Sequence, residues 1–267
     1  MKKEFGSSVL VTGASSGIGK AIASLFAENG YTVYAVSRSI EEKRESIGCG
    51  EIISIRGDIT DIESIKALRA RIDKLSIIIH AAGYGIAGSA EDVSGEIARK
   101  QMETNYIGPI NVNNIFLPLL RENRKSLVIF ISSIAGRVPI PFQSHYSSSK
   151  YAIEAYSEAL RMEGKPFGLT TVLLEPGDTK TGFTSKRKKY IPENSIYKTA
   201  ADKAIAKMEK DEENGRSPET VASAALSVAS KRNPPIRKPI GFEYSALMLL
   251  LRILPQKAVE MILRKLY

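Results

Sequence analysis

Tyr146 and Lys150 stand four residues apart in the run Tyr146-Ser147-Ser148-Ser149-Lys150, with Ser133 thirteen residues upstream of the tyrosine. On a helix that spacing places the phenol and the amine on one face. A phenol ordinarily ionises near pH ~10 and is a poor base at neutral pH. A neighbouring ammonium favours the phenolate, so such a pair can pass a proton to or from a substrate oxygen. By itself a Tyr and a Lys one helical turn apart is a commonplace surface pair, and its meaning depends on what the chain places beside it. Ser132 competes with Ser133 as a strand-end serine, and His145 adjoins Tyr146 but projects in another direction. No group of His, Cys, Asp and Glu has metal-ligand spacing, so no metal site is expected.

A second constellation lies near the N-terminus, in Thr12-Gly13-Ala14-Ser15-Ser16-Gly17-Ile18-Gly19. It follows an apolar strand pattern and opens a helical one. Glycines there permit a tight turn and a close backbone approach to a pyrophosphate, and the helix N-terminus offers free N–H groups. An acid at the end of the second strand would grip the ribose hydroxyls of NAD and repel a 2′-phosphate. The chain has Ser37-Arg38 there; the arginine can fork onto a phosphate and the serine can donate a hydrogen bond. The expected cofactor is NADP(H) in preference to NAD(H).

These groups need a scaffold that alternates strands and helices. Apolar runs rich in Val, Ile and Leu mark strands at 8–11, 32–37, 52–56, 77–80, 127–132 and 170–175. Amphipathic stretches at 17–29, 61–74, 102–121 and 146–163 lie between them. The pattern predicts an α/β chain: one doubly wound parallel sheet, a Rossmann fold, with helices on both faces. After Glu175 the alternation stops. Residues 178–216 are polar and basic with a helical stretch near 200–210, and Ser217-Pro218-Glu219-Thr220 starts another helix. Residues 1–267 are read as one domain, 178–216 as a substrate lid and 243–267 as an apolar C-terminal helical extension.

Glycine turn, serine, tyrosine and lysine in this order resemble the short-chain dehydrogenase/reductase family, whose signature is Thr-Gly-x-x-x-Gly-x-Gly. The resemblance is dense from residue 7 to about 182. It implies that Asn105, Ser133, Tyr146 and Lys150 are catalytic. Ser133 would polarise the substrate oxygen and Tyr146 would exchange its proton. Lys150 would hold the nicotinamide ribose and tune the tyrosine, and Asn105 would hold a water linking Lys150 to solvent. The cofactor would meet Gly13, Ser15, Ser16, Gly17, Ile18, Gly19, Ser37, Arg38, Asp58, Ile59, Ala82, Gly83, Tyr146, Lys150, Pro176, Gly177, Thr179 and Thr181. Ala81 departs from the family's Asn-Ala-Gly, which puts local support of the central strands in doubt. The resemblance also suggests a homodimer or homotetramer. Gly241, followed by two apolar helices split at Leu254-Pro255, resembles the extended tail of the 17β-hydroxysteroid and retinol dehydrogenases.

The expected activity is interconversion of an alcohol and a ketone or aldehyde on a hydrophobic substrate such as a steroid or other lipid. Phe183, Tyr190, Ile191, Ile196 and Tyr197 of the lid and Tyr244, Leu247, Met248, Leu251 and Leu254 of the tail are candidate pocket walls. Two other readings stay open. A 3-oxoacyl-thioester reductase could dock an acidic carrier protein on Lys186–Lys189, and a catalytically silent NADP(H)-binding regulator would need the fold alone. Net charge is +9, yet no aromatic interleaving or zinc spacing supports nucleic-acid binding, and the Lys186–Lys189 run reads as a solvated loop. Arg252, Lys257, Arg264 and Lys265 interrupt the apolar tail. That pattern allows peripheral membrane contact, but the all-round apolar Leu249-Leu250-Leu251 favours burial against protein. One cysteine and no signal-like N-terminus fit a cytoplasmic protein.

Overall fold

Parallel strands buried on both faces need apolar residues at every position, because alternate side chains enter different cores. The computed structural model of the chain describes residues 2–251 and 253–266, with backbone only for Gln256 and residues 264–266. Its strands are β1 (Ser8–Thr12), β2 (Thr32–Ser37), β3 (Lys43–Ile47), β4 (Gly50–Arg56), β5 (Ile77–His80), β6 (Ile86–Ala87), β7 (Ser126–Ile131), β8 (Leu169–Pro176), β9 (Lys188–Lys189) and β10 (Arg237–Ile240). Eight of them form one sheet in the order β10-β8-β7-β5-β1-β2-β4-β3, parallel throughout except for the β3–β4 pair. Val9, Val11, Ile77, Ile79, Leu127 and Ile129 face one core, while Leu10, Ile78, Val128 and Phe130 face the other.

The helices are α1 (Gly17–Glu28), α2 (Ile62–Arg69), α3 (Gly95–Met102), α4 (Gly108–Arg121), α5 (Ser144–Gly164), α6 (Phe183–Lys186), α7 (Lys198–Glu213), α8 (Pro218–Ala229), α9 (Phe242–Leu251) and α10 (Gln256–Leu266). Residues of α1 and α8 fill the first core; those of α2, α4 and α5 fill the second. The strand order reverses between β1 and β5. That switch point leaves a crevice beyond the C-terminal strand ends, where ligands of such sheets bind.

The sequence patterns misplace several elements. The helix expected over 102–121 is α3 and α4 joined by a π-helical turn, Glu103–Ile107, in which the Gly108 N–H bonds back to the Glu103 carbonyl. Pro109 is the physical cause. It has no N–H for the Asn105 carbonyl four residues earlier, and its ring crowds that carbonyl. The stretch expected over 61–74 narrows to α2, capped by the Asp61 carboxylate accepting from the Glu63 N–H at 3.0 Å. β3 and β10 escape the apolar-run criterion because both are edge strands. Lys43-Arg44-Glu45 and Arg237-Lys238-Pro239 carry the charge and proline that guard an edge.

The tail is two helices broken at Pro255, as read from the sequence. Arg252 lies outside the described residues, as do the side chains of Arg264 and Lys265. The burial expected for the Leu249–Leu251 turn does not hold within this chain: Leu249 is 62% exposed and Leu250 47%. No residue of α9 is buried. Among the described residues no helix is long and apolar enough to cross a membrane.

Candidate active site

The glycine turn supplies the floor of the crevice. Gly13 has φ +71°, and a Cβ on it would lie 2.6 Å from the Ala82 backbone. A Cβ on Gly19 would lie 2.3 Å from the Gly13 carbonyl, so α1 can begin against the turn only without a side chain. Ser16 at the head of α1 makes no side-chain cap and the first turn carries no acid, which leaves its N–H groups available to an anion. The buried Thr12 hydroxyl accepts from the N–H groups of Ala81 and Ala82, both at 3.3 Å. This bond ties β1 to β5 at the position where Ala81 lacks a buttressing side chain.

A cleft of about 840 Å³ opens above this turn. Of the residues expected at the cofactor, Gly13, Ser15, Ser16, Gly17, Ile18, Gly19, Ser37, Arg38, Asp58, Ile59, Ala82, Gly83, Pro176, Gly177, Thr179 and Thr181 all line it. The Ser37 hydroxyl donates to that of Ser15 at 2.9 Å, bridging the end of β2 to the glycine turn. The Asp58 carboxylate accepts from the Thr60 N–H at 2.9 Å and the Thr60 hydroxyl at 2.8 Å, which fixes its direction. Its other oxygen lies 4.0 Å from the Arg38 guanidinium, itself 69% exposed. A cradle shaped by missing Cβ atoms and a free helix N-terminus, with a directed carboxylate at one end, fits a dinucleotide.

Ser133, Tyr146 and Lys150 line the same cleft. Ser133 follows β7, and its hydroxyl caps a short 3₁₀ turn by accepting from the Ala135 N–H at 3.1 Å. Ser132 also lines the cleft, but its Oγ is buried without a hydrogen-bond partner, where a Cβ on Gly136 would meet it at 2.9 Å. Tyr146 and Lys150 share one face of α5 with Glu154 and Glu158, one turn apart each. Arg237 on β10 pairs with Glu154, with Glu158 and, at 2.9 Å, with Glu175 of β8, which fixes the rotation of α5 against the sheet. Lys150 Nζ donates to the Ile131 carbonyl at 2.8 Å and lies 5.7 Å from the Tyr146 ring centre. Asn105 Nδ2 donates to the Tyr84 carbonyl and to the Ser149 hydroxyl, both at 3.0 Å, and Oδ1 accepts from the Tyr84 N–H at 3.1 Å. The side chain is therefore fully used in joining the π turn to α5 and to the loop after β5.

Burial pushes the Tyr146 phenol up to about 12; the Ser133 hydrogen bond pulls it back, Glu212 raises it and Arg187 lowers it. Burial also brings Lys150 down to about 8. Arg187, a residue the sequence placed in a solvated loop, thus joins Lys150 among the cations near the phenol. The Arg187 side chain is fully buried, paired with Glu212, because α7 carries acids opposite the basic run. His80 and His145 take no part in the cleft lining. His80 is a core group, stacked on Phe130, its Nε2 hydrogen-bonded to the Asn113 side-chain oxygen at 2.9 Å.

The expected pocket walls are only partly right. Phe183 and Tyr244 line the cleft; Tyr190, Ile191, Ile196, Tyr197, Leu247, Met248, Leu251 and Leu254 do not. Ile196 is 85% exposed, while Ile191 packs on the small cluster of α7 with Met208. The missed walls are Ile140, Gln143, Lys186, Lys188, Met208 and Glu212. Gln143 and Met208 carry no sequence signal, since their meeting depends on how α7 crosses the mouth.

Residues 7–191 match the family model described as short chain dehydrogenase. Over 237 residues the chain is 35% identical to a 3-ketodihydrosphingosine reductase of Bacteroides thetaiotaomicron, covering 87% of each chain. A short-chain dehydrogenase structure from Streptomyces avermitilis matches with a TM-score of 0.79 at 26% identity, covering 97% of this chain and 95% of that one. A short chain dehydrogenase from Burkholderia cenocepacia, solved in complex with NADP, matches with a TM-score of 0.76 at 24% identity over 98% of this chain and 99% of that one.

Proposed function

The chain belongs to the short-chain dehydrogenase family, and from that premise we propose that it interconverts a secondary alcohol and a ketone on an apolar, lipid-like substrate with NADP(H). The observation that carries the reading is the convergence of Ser133, Tyr146 and Lys150 at one wall of the cleft whose floor is the glycine turn. Bound NADPH would supply the hydride from its nicotinamide, and the protein supplies position and proton handling. The Ser133 hydroxyl donates to the substrate oxygen. The Tyr146 hydroxyl gives its proton to that oxygen in reduction and takes it back in oxidation. Lys150 presents a buried cation beside the tyrosine, held to the Ile131 carbonyl, and meets the ribose. With the Asn105 side chain committed to Tyr84 and Ser149, its backbone carbonyl, which the Pro109 nitrogen cannot serve, is the group that holds a water near Lys150.

NADP(H) preference rests on Arg38 and Ser37 beside Ser15, at the point where an acid would select NAD(H). The lid is residues 178–216, and the apolar walls Ile140, Phe183 and Met208 with the aromatic Tyr244 suit a long or polycyclic carbonyl compound. The 3-ketodihydrosphingosine of the relative's name is the first compound to try, followed by ketosteroids and retinal. An acyl-carrier substrate loses support, because Arg187 turns inward and Lys189 is paired with Glu209, so Lys186–Lys189 is not a four-cation docking face. The test follows NADPH and NADH consumption by absorbance against 3-ketodihydrosphingosine, ketosteroids, retinal and acetoacetyl thioesters. Turnover of a lipid ketone with NADPH is expected. Turnover of the thioesters alone, or of none with the cofactor bound, overturns the reading.

A further inference from the structure

Charged pairs join the two arms of the lid, the segment 183–189 and α7. Arg187 has a fully buried side chain; its Nη2 hydrogen-bonds Glu212 Oε1 and its Nη1 lies 4.0 Å from Glu209. The second oxygen of Glu212 accepts from the Thr184 hydroxyl at 2.6 Å, and Glu209 also pairs with Lys189 at 2.9 Å. The backbone adds β9 alongside β6, extended by the Tyr190 N–H donating to the Ala87 carbonyl at 2.7 Å. A guanidinium this buried is tolerated only with its carboxylate, so Arg187 and Glu212 hold each other in place.

The arginine does not line the cleft; Phe183 does. The guanidinium lies 5.6 Å from the Phe183 ring centre, and that ring lies 5.6 Å from the Tyr146 ring centre, tilted by 58°. Gly85 leaves the slot for it, since a Cβ there would come within 2.8 Å of Phe183 Cζ. Arg187, Phe183 and Tyr146 thus form three successive layers from the ion pair to the phenol.

We propose that Arg187 is a positioning residue: locked by Glu212 and Glu209 of α7, it holds the 183–189 arm of the lid in place and so seats Phe183 on Tyr146. The lock stands independently of the catalytic reading, and only its consequence for Tyr146 rests on that reading. The groups that act on this phenol are Ser133 after β7, Arg187 on the 183–189 arm of the lid and Glu212 on its α7 arm. Lys150 stands one turn along α5 itself. Releasing the 183–189 arm hydrates the phenol, which outweighs the loss of the distant guanidinium because burial is the larger influence.

The lid contains its own reporter, because Lys186 to Lys189 are four consecutive trypsin sites. Glu212→Gln keeps the shape and removes the charge that holds Arg187, and tryptic cleavage within 186–189 should quicken at least about tenfold. Phe183→Ala keeps every ion pair, so its lid should stay as protected as in the wild type. Tyr146 ionisation is read as the ultraviolet difference titration between each protein and the same protein carrying Tyr146→Phe. Both variants should lower its midpoint, because burial is the main influence that raises it. Unchanged cleavage in Glu212→Gln disproves the lock. An unmoved or raised midpoint in Phe183→Ala disproves the action through the stacked ring, and this arm decides the matter if Glu212→Gln does not fold. Neither readout needs turnover, so a failure of the enzymatic reading would show separately in the substrate panel.

Discussion

The glycine-turn side of the cleft is backbone at the ends of buried parallel strands, whereas the opposite side, the proposed substrate side, is an ion-paired segment over 183–213 and a tail that leaves Leu249 and Leu250 exposed. On the first side Gly13, Ala82 and Pro176 sit where β1, β5 and β8 end, and two large cores fix them. On the second, Arg187–Glu212 and Lys189–Glu209 join the segment 183–189 to α7 and Arg216–Glu243 joins residue 216 to the tail, with a small cluster around Ile205 and Met208. Packed strands cannot shift without breaking a core, while ion pairs can open and reform. The division suits a rigid cofactor platform under a cover that must admit substrate.

The largest expected effect tests whether the chemistry belongs to the rigid side. Tyr146→Phe keeps the ring against Phe183 and removes the proton. Turnover should fall on the order of 10²–10⁴-fold while dinucleotide affinity, measured by fluorescence quenching, holds. Near-normal turnover would remove Tyr146 from the mechanism and leave the two sides with no division of labour.

The next probes the scaffold through pH. Burial brings His80 down to about 4, against about 6.5 when unfolded. The unfolded chain therefore binds a proton that the native state refuses. The stability this residue contributes is complete above the unfolded value and is lost as pH falls through about 4, to the extent of about 3 kcal/mol. Urea unfolding at pH 7 and pH 4 should show that loss, and His80→Gln should lack most of it. The same acid dependence in both proteins would place the sensitive group elsewhere, with the lid carboxylates the first to examine.

Cofactor choice should move less. Arg38→Asp replaces a phosphate partner with a repelling carboxylate, and NADPH should weaken by about 1.5–3 kcal/mol more than NADH. Equal losses by calorimetry would mean that Arg38 does not read the 2′-phosphate and that this edge of the platform is less selective than proposed.

The smallest effect is expected where the tail meets the platform. The Tyr244 hydroxyl donates to the Asp178 carboxylate at 2.7 Å and accepts from the Asp178 N–H at 3.0 Å, with its ring over Gly177. Tyr244→Phe should cost about 1 kcal/mol in thermal unfolding and raise KM for bulky ketones more than for small ones. A uniform change in KM would make the tail a brace for the platform instead of part of the substrate side.

Much of the platform was legible because its signals are local. A buried parallel strand is a run of Val, Ile and Leu, and the glycine turn must immediately follow one, so β1, β5, β7 and the residues at their ends could be read in order. Ser133 was separable from Ser132 only by its distance to Tyr146; in the structure both line the cleft, and it is Ser133 that hydrogen-bonds Tyr146. The lid was poorly legible for the opposite reason. Nothing in Lys186-Arg187-Lys188-Lys189 distinguishes the second residue, and its burial follows from Glu209 and Glu212 more than twenty residues away on a helix whose position the sequence does not state.

The sequence by itself determined the alternation of strands and helices, the glycine turn and the order in which Asn105, Ser133, Tyr146 and Lys150 occur. These follow from periodicity and from backbone requirements that act within a few residues. Only the tertiary structure decided that Arg187 is buried against Phe183, which side chains line the far end of the cleft and that the tail leaves Leu249 and Leu250 exposed. Such outcomes depend on how α7 and α9 cross the strand ends, and that geometry is set by the packing of the whole sheet.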